Sequence, residues 1–208
     1  MQGDETAALK SAPEQARYGE TVSSDMRLAL LRGINVGGKS SLPMADLRRV
    51  LNEAGFEDVV TYIQSGNVIF RSSQNPSDLE AQIEEVLATE LDMPIKVAVR
   101  SHEQLAKSVA DAPNLFTPSK DTYHCDALFV RSPLSVDQLM SVVELREGVD
   151  QAWSGDGVAY FARRSDQRTK SKLSKLVARP EYKLITVRNW NTVTKLLAML
   201  DEAAANQR

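Results

Sequence analysis

The sequence predicts an α+β protein built from two ferredoxin-like (split β-α-β) plaits in tandem, each with an antiparallel sheet and helices on one face. Two observations lead to this prediction. Short apolar runs of strand character are interleaved with longer stretches of helical periodicity, and the order strand, helix, strand, strand, helix, strand, extra helix occurs twice. A chain of 208 residues is long enough for two such units.

The first predicted plait spans residues 26–112. Pro43 suits the first position of a helix, because an N–H group at that position would have no partner. Ser101 and Gln104 form a capping box, which predicts an additional helix after the last strand. The predicted elements are, in chain order, strand 26–32, a helix over 44–54, strands 59–63 and 68–71, a helix from Pro76 and strand 95–99.

The second predicted plait spans residues 122–208. Ser135 and Gln138 form a second capping box, for a helix that we expect to end at Gly148. The two halves share a pattern of elements, whereas no residue-level repeat is evident. The predicted elements are, in chain order, strand 123–131, that helix, a hairpin of strands 149–153 and 158–163, a helix around 173–177, strand 184–187 and a final helix from Trp190.

Two segments fall outside the predicted plaits. Residues 1–25 carry the whole net charge of −3, since they hold five acidic and two basic residues. They lack the basic start and apolar centre of a signal peptide, so we expect a disordered tail or an added extension. Residues 113–121, which contain Pro113 and Pro118, indicate a linker between the plaits.

Composition narrows the class of protein. The single Cys125 cannot form an internal disulfide, which favours a reducing, cytoplasmic compartment. No apolar run approaches the roughly 20 residues of a membrane span. The two histidines, His102 and His124, have no ligand-spaced neighbour, so we predict no metal site. No acid–base pair or catalytic triad identifies an enzyme, and the sequence indicates no cofactor.

The predicted topology brings separated polar segments together. In a ferredoxin-like plait the third strand lies between the first and second, so the loop after the first strand and the hairpin between the second and third share one end of the sheet. In the first half these segments are 32–41 and 64–67. In the second half the loops 164–172 and 188–192 share the opposite end. We expect the two polar edges to face each other across a cleft between the lobes.

The glycine-rich segment 33–40 fits the phosphate-loop pattern G-x-x-x-x-G-K-S. A genuine phosphate loop places its Lys and Ser in the first turn of the next helix, whereas here residues 41–43 intervene and the sheet is predicted to be antiparallel. We therefore do not predict nucleotide hydrolysis. Two readings of the segment remain open: an anion-binding nest with Arg32 and Lys39, and a turn that needs glycine for its dihedral angles.

Binding of a small anionic or phosphorylated ligand, with a nucleotide as one option, is the function that this pattern favours. Arg188 precedes the final helix, where a cation opposes the helix dipole and makes most sense beside an anion or a carboxylate. Any catalysis would rest on electrostatic stabilisation by such cations. The predicted ligand-binding residues are Arg32, Asn35, Gly37, Gly38, Lys39, Gln64, Ser65 and Asn67 on one wall, and Lys170, Lys172, Arg188 and Asn191 on the other.

Two alternative functions and the oligomeric state remain open. Residues 158–195 hold ten Lys and Arg against two acidic residues, which could bind nucleic acid with Tyr160, Phe161 or Trp190 for stacking. Because Tyr160 and Phe161 are neighbours in a strand, at least one of them should lie in the core. The other alternative is a non-catalytic interaction protein whose polar edges form the contact between the lobes.

Three separated motifs resemble a known family: LLRGINVGG at 30–38, TYIQSGNV at 61–68 and RNWNTV at 188–193. In this order they resemble the uncharacterised bacterial family numbered 1697 among the domains of unknown function, over the chain from about Met26 to the final helix. The resemblance implies a two-lobed α+β fold built on ferredoxin-like plaits. It implies no established activity, catalytic residue or cofactor.

Overall fold

The computed structural model of the protein describes residues 25–35, 41–116 and 122–206. The predicted N-terminal tail therefore lies outside the described residues, except for Asp25. The predicted ligand-binding residues Gly37, Gly38 and Lys39 also lie outside them.

The first half of the chain folds around one antiparallel sheet. Its elements are β1 (Met26–Leu31), α1 (Met44–Glu53), β2 (Glu57–Tyr62), β3 (Asn67–Arg71), α2 (Pro76–Leu91), β4 (Val97–Ser101) and α3 (His102–Ala110). The strand order is β2-β3-β1-β4. β1 suits a central position because five of its six residues are buried. As predicted, α1 begins only after Pro43, too late for a phosphate loop.

The second half repeats this arrangement. Its elements are β5 (Tyr123–Val130), α4 (Val136–Val142), β6 (Asp150–Ser154), β7 (Val158–Arg164), β8 (Ile185–Asn189) and α5 (Trp190–Ala205). The strand order is β6-β7-β5-β8, again antiparallel. Short 3-10 helices supplement these elements at Asn114–Phe116, Ser165–Lys170, Leu173–Ala178 and Pro180–Leu184. The predicted α+β class with two antiparallel sheets is confirmed.

Local capping signals in the sequence were reliable guides to helix starts. Both capping boxes are present, with Ser101 and Ser135 accepting from the backbone N–H groups of Gln104 and Gln138. Asn189 caps α5 by accepting from Asn191 N at 3.0 Å. These motifs involve residues only two or three positions apart, so they do not depend on how distant parts of the chain pack.

Two predicted helices in the second half are wrong in extent or type. α4 ends at Val142 instead of Gly148, and the helix expected around 173–177 is part of a series of 3-10 helices. One side chain contacts the backbone at both places. The buried Asp150 carboxylate accepts from Arg146 N at 3.0 Å and from Lys172 N at 2.9 Å. A side chain that binds backbone N–H groups in this way competes with helical hydrogen bonds.

The two halves share an apolar core. Leu28 and Leu30 of β1 belong to the same buried cluster as Ala127 and Phe129 of β5, with Val193 of α5 between the sheets. α1 and α2 cover the other face of the first sheet. The first sheet therefore has helices on both faces, and not on one face as predicted, because α3 and α5 pack where the two halves meet.

The segment predicted as a linker contributes to this shared core. Phe116 is 3% exposed, and its ring centroid lies 4.9 Å from that of Trp190 and 5.5 Å from that of Tyr160. Aromatic pairs at these distances and edge-to-face angles are favourable. The two halves are thus joined by packing as well as by chain connection.

Candidate functional site

Arg188 extends from β8 into the first half of the protein and is 7% exposed. Its Nη2 donates to the carbonyl oxygens of Leu31 at 2.7 Å and Ser65 at 2.9 Å, with a longer contact of 3.2 Å to Gly66. Its Nε donates to Asn67 Oδ1 at 2.5 Å. Burial lowers the pKa of Arg188 to about 10. All these acceptors are uncharged, so Arg188 connects β8 to the β2–β3 hairpin without a carboxylate.

The β2–β3 hairpin packs tightly against the end of β1. Gly66 has φ +74°, and a Cβ atom there would lie 2.7 Å from Leu31 Cβ and from Ile34 Cδ1. Asn67 is fully buried, and its Nδ2 donates to Tyr62 O at 3.0 Å across the turn. Glycine at position 66 is therefore required by space as well as by backbone conformation.

Asn35 connects the segment after β1 to that hairpin. Its Nδ2 donates to Leu42 O at 2.9 Å and to Gln64 O at 2.8 Å, and its Oδ1 accepts from Leu42 N at 2.8 Å. Asn35 itself has φ +53°, a conformation that Asn tolerates better than most residues. The side chain holds the two described ends of the glycine-rich loop together and places them beside Gln64.

Arg32 lies at the same edge and reaches the second half. Its Nε donates to Tyr182 O at 3.1 Å, and its Cζ lies 4.8 Å from the centroid of the Tyr182 ring. The side chain is half-buried. Within the described ranges Arg32 forms no ion pair with a carboxylate, so its charge is met only by a carbonyl and an aromatic face.

The structure brings six of the twelve predicted residues to this edge of the first sheet. They are Arg32, Asn35, Gln64, Ser65, Asn67 and Arg188. We call the surface formed by Arg32, Asn35, Gln64 and Ser65 the Arg32 rim.

The remaining described residues of the predicted site lie elsewhere. Lys172 is 3.7 Å from Glu144 through its Nζ, and Lys170 Nζ is 3.5 Å from Gln167 Oε1. Asn191 occupies the first turn of α5.

Arg100 of β4 is a second buried arginine, and it is not among the predicted site residues. Its Nη2 donates to Val130 O and to Gly157 O, the latter at 2.9 Å, so it reaches the second half as Arg188 reaches the first. A sequence signal exists: VAVRS at 97–101 and ITVRN at 185–189 share an Arg followed by a helix cap. The two halves are thus related at individual positions as well as in pattern.

Arg131 follows β5 as Arg32 follows β1, but it is paired with carboxylates. Its Nη1 lies 2.7 Å from Glu84 Oε1 and its Nε 3.5 Å from Glu80 Oε2. The same two carboxylates accept from the backbone of the edge strand β4, Glu84 from Val97 N at 2.9 Å and Glu80 from Val99 N at 3.0 Å. This network closes the β4 edge, since its outward N–H groups are bound by side chains.

A family model described as "Protein of unknown function (DUF1697)" matches residues 25–160. The chain belongs to this family. It is also similar to a solved structure, described as that of the conserved bacterial protein SP0830 from Streptococcus pneumoniae. The two are 30% identical with a TM-score of 0.74, and the match covers 84% of this chain and 98% of that one. A comparison with curated proteins found no match.

A second polar cluster in this DUF1697 chain lies where β5, β7 and β8 meet. Asp126 is 4% exposed; its Oδ1 lies 3.3 Å from His124 Nε2 and its Oδ2 3.0 Å from Arg163 Nη2. Burial raises the pKa of Asp126 although Arg163 and His124 both act to lower it, and burial lowers the pKa of His124. Asn189 Nδ2 is 3.4 Å from the same His124 nitrogen. The loops after β7 and β8 thus do share an end of the second sheet.

In the described ranges, a metal site, a membrane span and a base-stacking surface all lack the residues that they would need. Those ranges hold no group of three His, Cys, Asp or Glu side chains that could bind a metal ion. None of the helices described is both long enough and apolar enough to cross a bilayer. Tyr160, Phe161 and Trp190, which nucleic-acid stacking would require, are 1%, 1% and 6% exposed.

Proposed function

We propose that the protein binds a small anionic ligand at the Arg32 rim. The observation that carries this proposal is the state of Arg32, a half-buried guanidinium that Tyr182 holds in place and that no carboxylate of the described residues neutralises. A guanidinium bound through Nε and one face keeps its Nη edge for a planar or tetrahedral anion. Phosphorylated compounds, nucleotides among them, and carboxylates all belong to the proposed class.

The rest of the rim supplies the neutral part of the proposed site. Asn35 connects the ends of the glycine-rich loop, so Lys39 is at most four residues from one connected position and three from the other. We include Lys39, Gly37 and Gly38 in the proposal on this basis. Gln64 is exposed beside Asn35, and Ser65 Oγ accepts from Asn67 Nδ2 at 3.0 Å.

We propose further that each half is a ferredoxin-like plait and that the protein works in the cytoplasm. Strand orders β2-β3-β1-β4 and β6-β7-β5-β8, with the third strand of each half between its first and second, support the fold. The single cysteine supports a reducing compartment. Cys125 is buried, which raises its pKa to about 11 and disfavours thiolate chemistry.

A melting screen tests the binding proposal. Nucleotides, inorganic phosphate and small carboxylic acids would be compared on the wild type, Arg32→Ala and Arg49→Ala. Arg49 is an exposed arginine of α1 paired with Glu53, so its replacement is the matched control. A ligand at one hundred times its Kd stabilises the folded state by about 2.7 kcal/mol, which raises Tm by roughly 5–10 °C. We expect this increase in wild type and Arg49→Ala but not in Arg32→Ala.

The contacts of Arg188 favour a second candidate, an interaction protein without a ligand whose polar edges serve only the contact between the halves. Its donors are bound by Leu31, Ser65 and Asn67 instead of facing solvent. If Arg32→Ala and Arg188→Ala lower Tm while no anion raises that of the wild type, this second candidate replaces the first.

A further inference from the structure

The two halves contain two versions of one arrangement, and their comparison indicates what the Arg32 rim binds. Equivalent positions are fixed by equivalent backbone bonds. Arg32 N donates to Lys96 O at 2.9 Å, and Arg131 N donates to Leu184 O at 3.0 Å. Arg100 pairs with Leu28, which lies four residues before Arg32. Arg188 pairs with Ala127, which lies four residues before Arg131.

In the first version, two carboxylates of α2 bind the edge of β4 and Arg131 at once. Glu84 accepts from Val97 N and lies 2.7 Å from Arg131 Nη1. Glu80 accepts from Val99 N, lies 3.5 Å from Arg131 Nε, and lies 3.9 Å from Arg100 Nη1. Each carboxylate therefore joins one outward N–H group of the edge strand to the arginine of the other half.

In the second version, a backbone carbonyl has the role of Glu84. Ile185 is the residue equivalent to Val97. Tyr182 O accepts from the backbone N–H of Ile185 and from Arg32 Nε, the latter at 3.1 Å. A neutral acceptor therefore stands where the first version has a carboxylate. It binds the equivalent backbone N–H group and the equivalent arginine, although Arg32 uses Nε where Arg131 uses Nη1.

The role of Glu80 has no counterpart among the described residues of the second half. The bond from Arg131 N to Leu184 O fixes the alternation in β8, so the Val187 N–H points away from β5. In the parts of the chain that the structure describes, no side-chain acceptor meets that N–H. Over the same ranges neither Arg32 nor Arg188 has a carboxylate partner, whereas Arg131 and Arg100 both lie beside Glu80.

We infer that a carboxylate group of a small ligand binds at the position equivalent to the Glu80 carboxylate, accepting from the Val187 N–H and from the Nη edge of Arg32. This inference rests on the proposed function, of which it specifies the ligand class and the contacts. A carboxylate fits because the Glu80 carboxylate has the equivalent role in the first half. Its two coplanar oxygens can accept from a guanidinium edge and from a backbone N–H group at the same time. Val187 and Arg32 are both half-buried, so the position is accessible to a small molecule.

Amide-resolved NMR titration of the full chain tests the inference. Acetate, succinate and inorganic phosphate would be added separately to the wild type and to Arg32→Gln. We expect acetate and succinate to move the Val187 amide proton downfield in a saturable way, and the dissociation constant to rise about ten-fold or more in Arg32→Gln. The Val99 amide provides an internal control, because Glu80 already binds it at 3.0 Å and its signal should not move.

The outcomes separate the inference from the proposal on which it rests. If phosphate gives saturable, Arg32-dependent shifts at Asn35 or Gln64 while acetate and succinate leave Val187 unmoved, the carboxylate assignment is overturned and anion binding stands. If carboxylates bind with the same affinity in Arg32→Gln, the position is wrong. If no anion produces shifts that depend on Arg32, both the inference and the proposed function fail.

Discussion

Arg100 and Arg188 hold the two halves of the protein together by the same contacts made in opposite directions. Each lies in the last strand of its own sheet and donates to the other half, at the end of the first strand and at the turn before the third. Each also donates through Nη1 to the carbonyl of the preceding valine, at 2.7 Å for Arg100 and 2.9 Å for Arg188. The contact is therefore reciprocal, as in a symmetric dimer.

Replacing Arg188 should destabilise the fold strongly. Arg188→Met keeps much of the side-chain volume but leaves buried oxygens of Leu31, Ser65 and Asn67 without this donor. Each unsatisfied buried acceptor costs about 1–3 kcal/mol, so we expect the free energy of unfolding to fall by about 3 kcal/mol or more in urea denaturation. The exposed Arg49, replaced in the same way, should cost under about 0.5 kcal/mol. If Arg188→Met lowers the free energy of unfolding by less than about 1 kcal/mol, these hydrogen bonds contribute little to stability.

Gly66 and Gly55 form a matched pair for a second prediction. Both have positive φ, +74° and +88°, but a Cβ at Gly55 would meet nothing within 4 Å, whereas at Gly66 it would lie 2.7 Å from two side chains. Gly55→Ala should therefore cost about 1 kcal/mol of backbone strain. Gly66→Ala should cost a further 1–3 kcal/mol, approximately, from overpacking. Urea unfolding of both variants measures the difference, and equal losses would contradict the crowding at the hairpin.

The carboxylate of Glu80 should matter far more than that of an exposed ion pair. Glu80 is 7% exposed and lies near both Arg100 and Arg131. Glu80→Gln preserves the shape of the side chain but removes the negative charge beside the buried Arg100 and the half-buried Arg131. We expect the free energy of unfolding to fall by about 3 kcal/mol.

Glu144 provides the control for that variant. Its side chain is 38% exposed and lies 2.9 Å from Lys175 Nζ and 3.8 Å from Arg179 Nη2. Glu144→Gln should change the free energy of unfolding by less than about 1 kcal/mol, because exposed ion pairs contribute little. A comparable loss in the two glutamine variants would argue against a special role for the buried carboxylate.

Features that depend on short-range chemistry or on strand order could be predicted from the sequence. The capping boxes at Ser101 and Ser135 depend on residues three apart. The meeting of Asn35 with Gln64, which are 29 residues apart, follows from strand order alone once the first strand is central. Pattern and connectivity suffice for such features because they do not depend on how two halves pack.

The orientation of long side chains across the contact between the halves could not be predicted. Arg188 was selected because a cation before a helix suggests a bound anion, but its partners are carbonyl and amide oxygens of the first half. That outcome depends on the docking of two sheets, which no local signal encodes. The backbone N–H of Lys172 likewise binds Asp150, 22 residues away, a long-range contact that no local pattern predicts.

The pH dependence of stability should reveal His124. Burial holds the pKa of His124 below its value of about 6.5 in an unfolded chain, although the nearby Asp126 acts in the opposite direction. Between the folded-state pKa and about 6.5, the unfolded chain therefore binds more protons than the folded one. The free energy of unfolding should fall as the pH drops through this window, and His124 should contribute no pH dependence above it.

The comparison of wild type with His124→Gln isolates this contribution from that of the carboxylates. Asp126, whose pKa is raised by burial, makes the folded state gain stability as the pH falls through that raised pKa, so it opposes the effect of His124. Urea unfolding at pH 7.5, 6.5 and 5.5 should show a smaller loss at the lower pH in His124→Gln than in the wild type. Parallel curves for the two proteins would mean that His124 titrates alike in the folded and unfolded states, contrary to its burial beside Asp126 and Arg163.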